Sequence, residues 1–132
     1  VVRAAHERGI EVLPLTGPVS LLLALAASGL NGQNFAFVGY LPQEATERAK
    51  RVRELESLAL KTGQTQLFIE TPYRNAAMLQ TLLHTLQHTT RLAVCSGLTL
   101  ARGVCRSDSI KDWRQKTSPL DNSTPAVFAL GR

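Results

Sequence analysis

Hydrophobic positions along the chain follow two rhythms: short runs bounded by Gly, Pro and small polar residues, and longer stretches that repeat every third or fourth position. The short runs at residues 10–13, 35–40, 65–70, 91–95 and 126–130 predict strands, with 104–106 as a further brief one. The longer stretches predict helices. Residues 1–8 read as the end of one, with Gly9 as its cap and no N-cap or initiator Met before it, so an upstream region is expected. Residues 20–28 form a second helix, ended by Gly29; it is apolar on nearly every face, which predicts burial between layers. Residues 43–60 line up Ala45, Ala49, Val52, Leu55 and Ala59 on one stripe, and residues 73–87 line up Ala76, Leu79, Leu83 and Leu86. A brief helix over 109–114 precedes a loop rich in Ser, Thr, Asn and Asp at 117–124. Strands alternating with helices predict an α/β fold with helices packed on a sheet.

Composition narrows this picture. A chain of 132 residues, 44% hydrophobic and 19% charged, suits one globular domain, residues 1–132. The net charge of +5 would draw in nucleic acid or another anionic partner, although most bases are interleaved with acids. Glu44, Glu47, Arg48, Lys50, Arg51, Arg53 and Glu54 read as a solvated helix face laced with ion pairs, and an RNA-contacting surface is the alternative. The longest apolar stretch, residues 21–30, is broken by Ser28 and Gly29 and is about half a membrane span, so no membrane helix is predicted. Without a secretory signal either, a cytoplasmic location is expected. Cys95 and Cys105 do not make a disulfide framework and read as reduced thiols. His84 and His88 share a helical face with no acidic residue or cysteine beside them, so no metal site is expected.

The candidate chemistry sits where strands end. Thr16-Gly17-Pro18-Val19-Ser20 is a turn into a helix: Gly17 permits close backbone approach, and the amides that follow it can bind a carboxylate or the polar edge of a ligand. Glu70-Thr71-Pro72-Tyr73-Arg74-Asn75 delivers an acid to a strand's end, then an aromatic ring, a guanidinium and an amide, and open α/β sheets bind ligands at such ends; the other reading is that Glu70 pairs with Arg74 to cap the loop while Tyr73 covers the core. Cys95-Ser96-Gly97-Leu98-Thr99 leaves a strand in the same manner, and Thr124-Pro125-Ala126 enters the last one. Neither a nucleophile triad nor a glycine-rich phosphate loop is apparent.

The order and spacing of Val12 through Ser20, of Ala24 through Leu30, of Phe35 through Gly39-Tyr40-Leu41-Pro42 and of Phe68 through Arg74 resemble the second domain of the tetrapyrrole methylase superfamily. The likeness is greatest to the ribosomal RNA small subunit methyltransferase I branch and is weaker after Thr99. It implies the superfamily's C-terminal domain, with a mixed sheet of about five strands flanked by helices. It also implies a homodimeric S-adenosylmethionine-dependent methyltransferase whose cofactor lies in a cleft between two halves. The N-terminal domain would supply a glycine-rich loop and an acidic segment, so this chain alone is expected to be inactive. By the same likeness Val19, Ser20 and Glu70 fall at the cofactor, with Ser96, Gly97, Pro125 and Ala126 as further cofactor-side positions. Where the ribosomal enzymes carry an Ala-Arg-Glu-Leu-Thr-Lys-like stretch, this chain reads Ala93-Val94-Cys95-Ser96-Gly97-Leu98-Thr99-Leu100, and their Glu-Ser-Pro-His-Arg is Glu70-Thr71-Pro72-Tyr73-Arg74 here. A related but separate group is implied, acting on RNA or on a tetrapyrrole-like small molecule. Glu70 or Tyr73 would orient or deprotonate the acceptor, and Arg74 would hold an anionic part of it. A basic RNA-binding module without catalytic activity is the alternative reading.

Overall fold

A computed structural model describes residues 1–132. Helix α1 (Val2–Glu7) is followed by α2 (Ser20–Ser28), β1 (Phe35–Tyr40), α3 (Ala45–Thr62) and β2 (Thr65–Ile69). A 3-10 turn (Pro72–Arg74) leads into α4 (Asn75–Thr85), then β3 (Arg91–Ser96), β4 (Val104–Ser109), α5 (Ile110–Gln115) and β5 (Ala126–Gly131). The strands form one five-stranded mixed sheet in the order β1-β2-β5-β3-β4. β1 and β2 are parallel, and β5 runs against both β2 and β3. The C-terminal ends of β1, β2 and β3 and the N-terminal ends of β4 and β5 therefore share one edge of the sheet.

Side-chain alternation sorts the two faces. Phe68, Leu92, Val94, Phe128 and Leu130 point to one side and pack with Val52, Leu55, Met78, Leu82, Ile110 and Trp113 of the three helices there. Phe68 and Phe128, opposite each other in the β2–β5 register, stack with ring centroids 5.5 Å apart. Leu67, Ala93, Cys95, Val127 and Ala129 point to the other side, against Ala24 and Leu25 of α2.

Several expectations need correction. Residues 10–13 form no strand: no neighbouring strand pairs with them, and an extended run becomes a strand only when its backbone groups find a partner. Helix α2 is not buried between layers, because only Ala24, Leu25 and Ser28 of it are buried while Leu22 stays 49% exposed. Arg48 is not on the solvated face. It is buried, and its guanidinium donates to Thr81 Oγ1 at 3.2 Å and to the Gln43 carbonyl at 3.4 Å. Cys95 and Cys105 are not separate thiols; they face each other across β3 and β4 and are joined in a disulfide. No helix is long and apolar enough to cross a membrane.

Candidate active site

At the shared edge of the sheet, on the α2 side, a cleft of about 460 Å³ draws on five separate stretches of the chain. Ser20, Glu70, Gly97, Pro125 and Ala126 all line it. Ser20 opens α2, whose N-cap residue Val19 provides no side-chain cap, so the first-turn amides keep their donors for another acceptor. Glu70 follows the last residue of β2 with its side chain 1% exposed. Its Oε1 accepts a hydrogen bond from the Thr71 amide at 2.7 Å and lies 3.5 Å from Arg74 Nη1, while its Oε2 has no partner. Gly97 takes a left-handed φ of 64° directly after β3, and its amide donates to the Pro125 carbonyl at 3.1 Å, which joins two walls of the cleft.

The loop before β5 is fixed from within. Asp121 accepts from the Ser123 and Thr124 amides at 2.8 and 2.6 Å and from both hydroxyls at 3.0 Å. These donors, the two amides foremost, hold its carboxyl down at about 2. Asn75 at the start of α4 donates to the Thr124 carbonyl at 2.9 Å, which ties the same loop to the segment that carries Glu70.

Other sequence-derived positions lie elsewhere. Ser96 lines a smaller cavity of about 270 Å³ on the opposite face, with Trp113 and Arg106, because successive side chains of β3 alternate and Cys95 takes the cleft side. Gly17 and Val19 are exposed and do not line the cleft. Tyr73 is 61% exposed, outside the lining, and Arg74 lies over its ring with Cζ 4.7 Å from the centroid. Arg74 reaches the cleft only through Glu70. Sequence reasoning named Pro72 and Leu98 only as parts of turns and missed Tyr40, Ile69, Leu100 and Val127; together these six give the cleft most of its apolar lining. Tyr40 was within reach of the strand-end rule that found Glu70, since it closes β1 beside β2. No group of three or more His, Cys, Asp or Glu is arranged to hold a metal.

A mostly apolar wall at the carboxyl ends of parallel strands, with one buried acid beside Ser20 and Tyr40, has the form of the ligand sites of open α/β sheets. No protein-family model matches the chain. Similarity to curated proteins is clear: the chain is 39% identical over 94 residues to the ribosomal RNA small subunit methyltransferase I of Xylella fastidiosa strain Temecula1, covering 71% of this chain and 33% of that protein. It is 35% identical over 86 residues to the Vibrio cholerae protein of the same name, covering 65% and 28%. The Haemophilus influenzae protein of that name aligns over 98% of this chain at 29% identity, covering 44% of its own length. These likenesses support a place for the chain in the tetrapyrrole methylase superfamily. Its fold is that of the superfamily's C-terminal domain: a crystal structure of the methyltransferase CobJ matches over 99% of this chain and 55% of its own, with a TM-score of 0.59 and 18% identity. A structure of the cobalamin biosynthetic enzyme cobalt precorrin-4 methyltransferase matches over 98% of this chain and 56% of its own, with a TM-score of 0.53 and 14% identity. The chain spans less than half the length of the curated superfamily members quoted above.

Proposed function

We propose that this domain forms one wall of the cofactor and acceptor cleft of an S-adenosylmethionine-dependent methyltransferase, and that the opposite wall comes from an N-terminal domain of the same protein. The observation that carries this reading is the convergence of Ser20, Glu70, Gly97, Pro125 and Ala126, distant in sequence, on one cleft at the sheet's edge. The residues present suit the cofactor: uncapped amides at the start of α2 for its carboxylate, apolar walls for its uncharged part and an unpartnered carboxylate oxygen on Glu70 for a donor or a positive charge. S-adenosylmethionine supplies an electrophilic methyl group. Ile69, Leu98, Leu100 and Val127 would exclude water, and Glu70 would orient the acceptor or take its proton. Arg74 would act from outside the cleft, steadying Glu70 through its guanidinium.

The names of the curated relatives support RNA as the acceptor. Leu22 and Leu23 on α2, and Phe35 and Phe37 on the edge strand β1, are exposed apolar positions in keeping with the homodimer that the resemblance implies. The alternative of a non-catalytic RNA-binding module draws on Lys50, Arg53 and Lys61, which border one shallow depression on α3. Calorimetry separates the readings. The protein in its longest natural form binds S-adenosylmethionine and S-adenosylhomocysteine measurably, and residues 1–132 alone bind both at least about a hundredfold more weakly. Tight binding by residues 1–132 alone would refute the shared cleft. Salt-dependent RNA binding with no response to either compound would favour the alternative. Methyl transfer that stays within about twofold of wild type in both Glu70→Ala and Arg74→Ala would remove the roles given to those residues.

A further inference from the structure

Glu70 is the one formally charged residue among those that line the cleft, its carboxyl buried in the wall, and neither Lys, Arg nor His is part of the lining. Glu70 is buried at the end of β2 with its two oxygens in different circumstances. Oε1 is engaged by the Thr71 amide and faced by Arg74, but Oε2 is buried without any hydrogen-bond partner. Arg74 offsets the negative charge only in part, because its guanidinium is 3.5 Å from Oε1, remains 25% exposed and also lies over the Tyr73 ring. A carboxylate oxygen left unpaired among apolar walls attracts a cation strongly, since little solvent is present to screen it.

We infer that Glu70 reads the positive charge of the methyl donor, so that the cleft holds a sulfonium more tightly than the neutral thioether left after transfer. This rests on the reading of the cleft as an S-adenosylmethionine site. When the carbon–sulfur bond breaks, its electron pair stays on sulfur, the methyl carbon bonds to the acceptor, and the acceptor's proton leaves to solvent or a nearby base. The positive charge on sulfur is then gone. Glu70 loses its counter-charge at that moment, which favours release of the spent donor and entry of a fresh one. The residue thus contributes specificity between substrate and product, separately from any contact with the acceptor.

The test is equilibrium binding by the protein in its longest natural form, with three probes and no turnover. S-adenosylmethionine carries the sulfonium, S-adenosylhomocysteine lacks it, and sinefungin carries an ammonium close to the same position. Glu70→Gln keeps the size and hydrogen-bonding capacity of the side chain and removes its charge. It should weaken S-adenosylmethionine and sinefungin about tenfold, and S-adenosylhomocysteine by less than about threefold. Equal weakening of all three would place Glu70 against a part they share and overturn the inference, as would no weakening at all. Arg74→Gln removes the countering charge and should shift the preference further toward the two cationic probes. If Glu70→Gln does not fold, an unchanged preference in Arg74→Gln overturns the inference instead. Wild-type protein that binds none of the three refutes the methyl-donor reading itself, an outcome distinct from binding without charge preference.

Discussion

Replacing Gly103 with Ala tests how tightly the strand-end turn beside the cleft is built. The turn closes through hydrogen bonds from the Leu100 amide to the Gly97 carbonyl at 2.9 Å and from the Gly103 amide to the Leu100 carbonyl at 3.0 Å. A Cβ on Gly103 would stand 2.5 Å from the Gly97 carbonyl oxygen and 3.2 Å from that of Leu100. Both obstacles are backbone, so no rotamer change relieves them, and the ends of β3 and β4 would have to part by about 1 Å. Overpacking of this kind costs about 1–3 kcal/mol, and a lost turn hydrogen bond adds about 1 kcal/mol. Reduced freedom of the unfolded chain offsets about 0.4–1 kcal/mol, which leaves a net loss near 2 kcal/mol. Thermal unfolding followed by circular dichroism should show Tm falling by roughly 5–10 °C. Gly17→Ala is the matched control. Its Cβ would meet nothing within 4 Å and its φ is not left-handed, so stability should change by less than about 0.5 kcal/mol. A Gly103→Ala protein with unchanged Tm, or a Gly17→Ala protein destabilised to the same degree, would refute the reasoning.

Further outcomes follow from polar groups that differ in burial and in hydrogen bonding. Glu56 Oε2 accepts from the Gln87 amide at 2.9 Å and from Thr90 Oγ1 at 2.6 Å in a buried setting, so Glu56→Ala strands two donors and should cost about 2–4 kcal/mol in urea denaturation. Arg48→Ala should cost about 1–3 kcal/mol in the same assay, because Arg48 bridges α3 to Thr81 of α4. Arg51→Ala, whose side chain is 42% exposed and paired only with Glu54, should cost less than about 0.5 kcal/mol. Asp121 is held at about 2, below the ordinary carboxylate range, so its contribution to stability is complete above about pH 4 and declines as the pH falls toward 2. An acid titration of the wild type should show that decline, and Asp121→Asn should remove the part of the slope confined to this window.

The elements legible in the sequence are those defined by local signals. Residues 20–28 and Gly29 coincide with α2 and its cap, and the apolar stripe of Val52, Leu55 and Ala59 faces the core. Local signals were silent where the outcome depends on a distant partner. Residues 10–13 have the apolar character of a strand and pair with none, since pairing is a property of two segments. The hydrophobicity of α2 shows that it needs cover without showing what covers it, and the structure leaves Leu22 and Leu23 exposed. Arg48 and Glu56 lie within a charged helix, yet both are buried because α4 and the turn after it bring hydrogen-bonding partners to them.

The site divides along the same line. Turn chemistry singled out the segments of Ser20 and Glu70, and the family likeness those of Gly97 and Pro125, but strand order decides that all four line one cleft. β5 is last in the chain and central in the sheet, between β2 and β3, so Pro125 and Ala126 enter between Glu70 and Gly97. Register then decides between neighbours: with Cys95 opposite Val127, Cys95 takes the cleft side, and alternation turns Ser96 toward Trp113 on the other. A slip of one residue between β3 and β5 would exchange those two side chains and separate the Gly97 amide from the Pro125 carbonyl. The cleft is therefore a product of the β5 register, and the Asp121 turn, which fixes the chain just before β5, shapes the cleft without lining it.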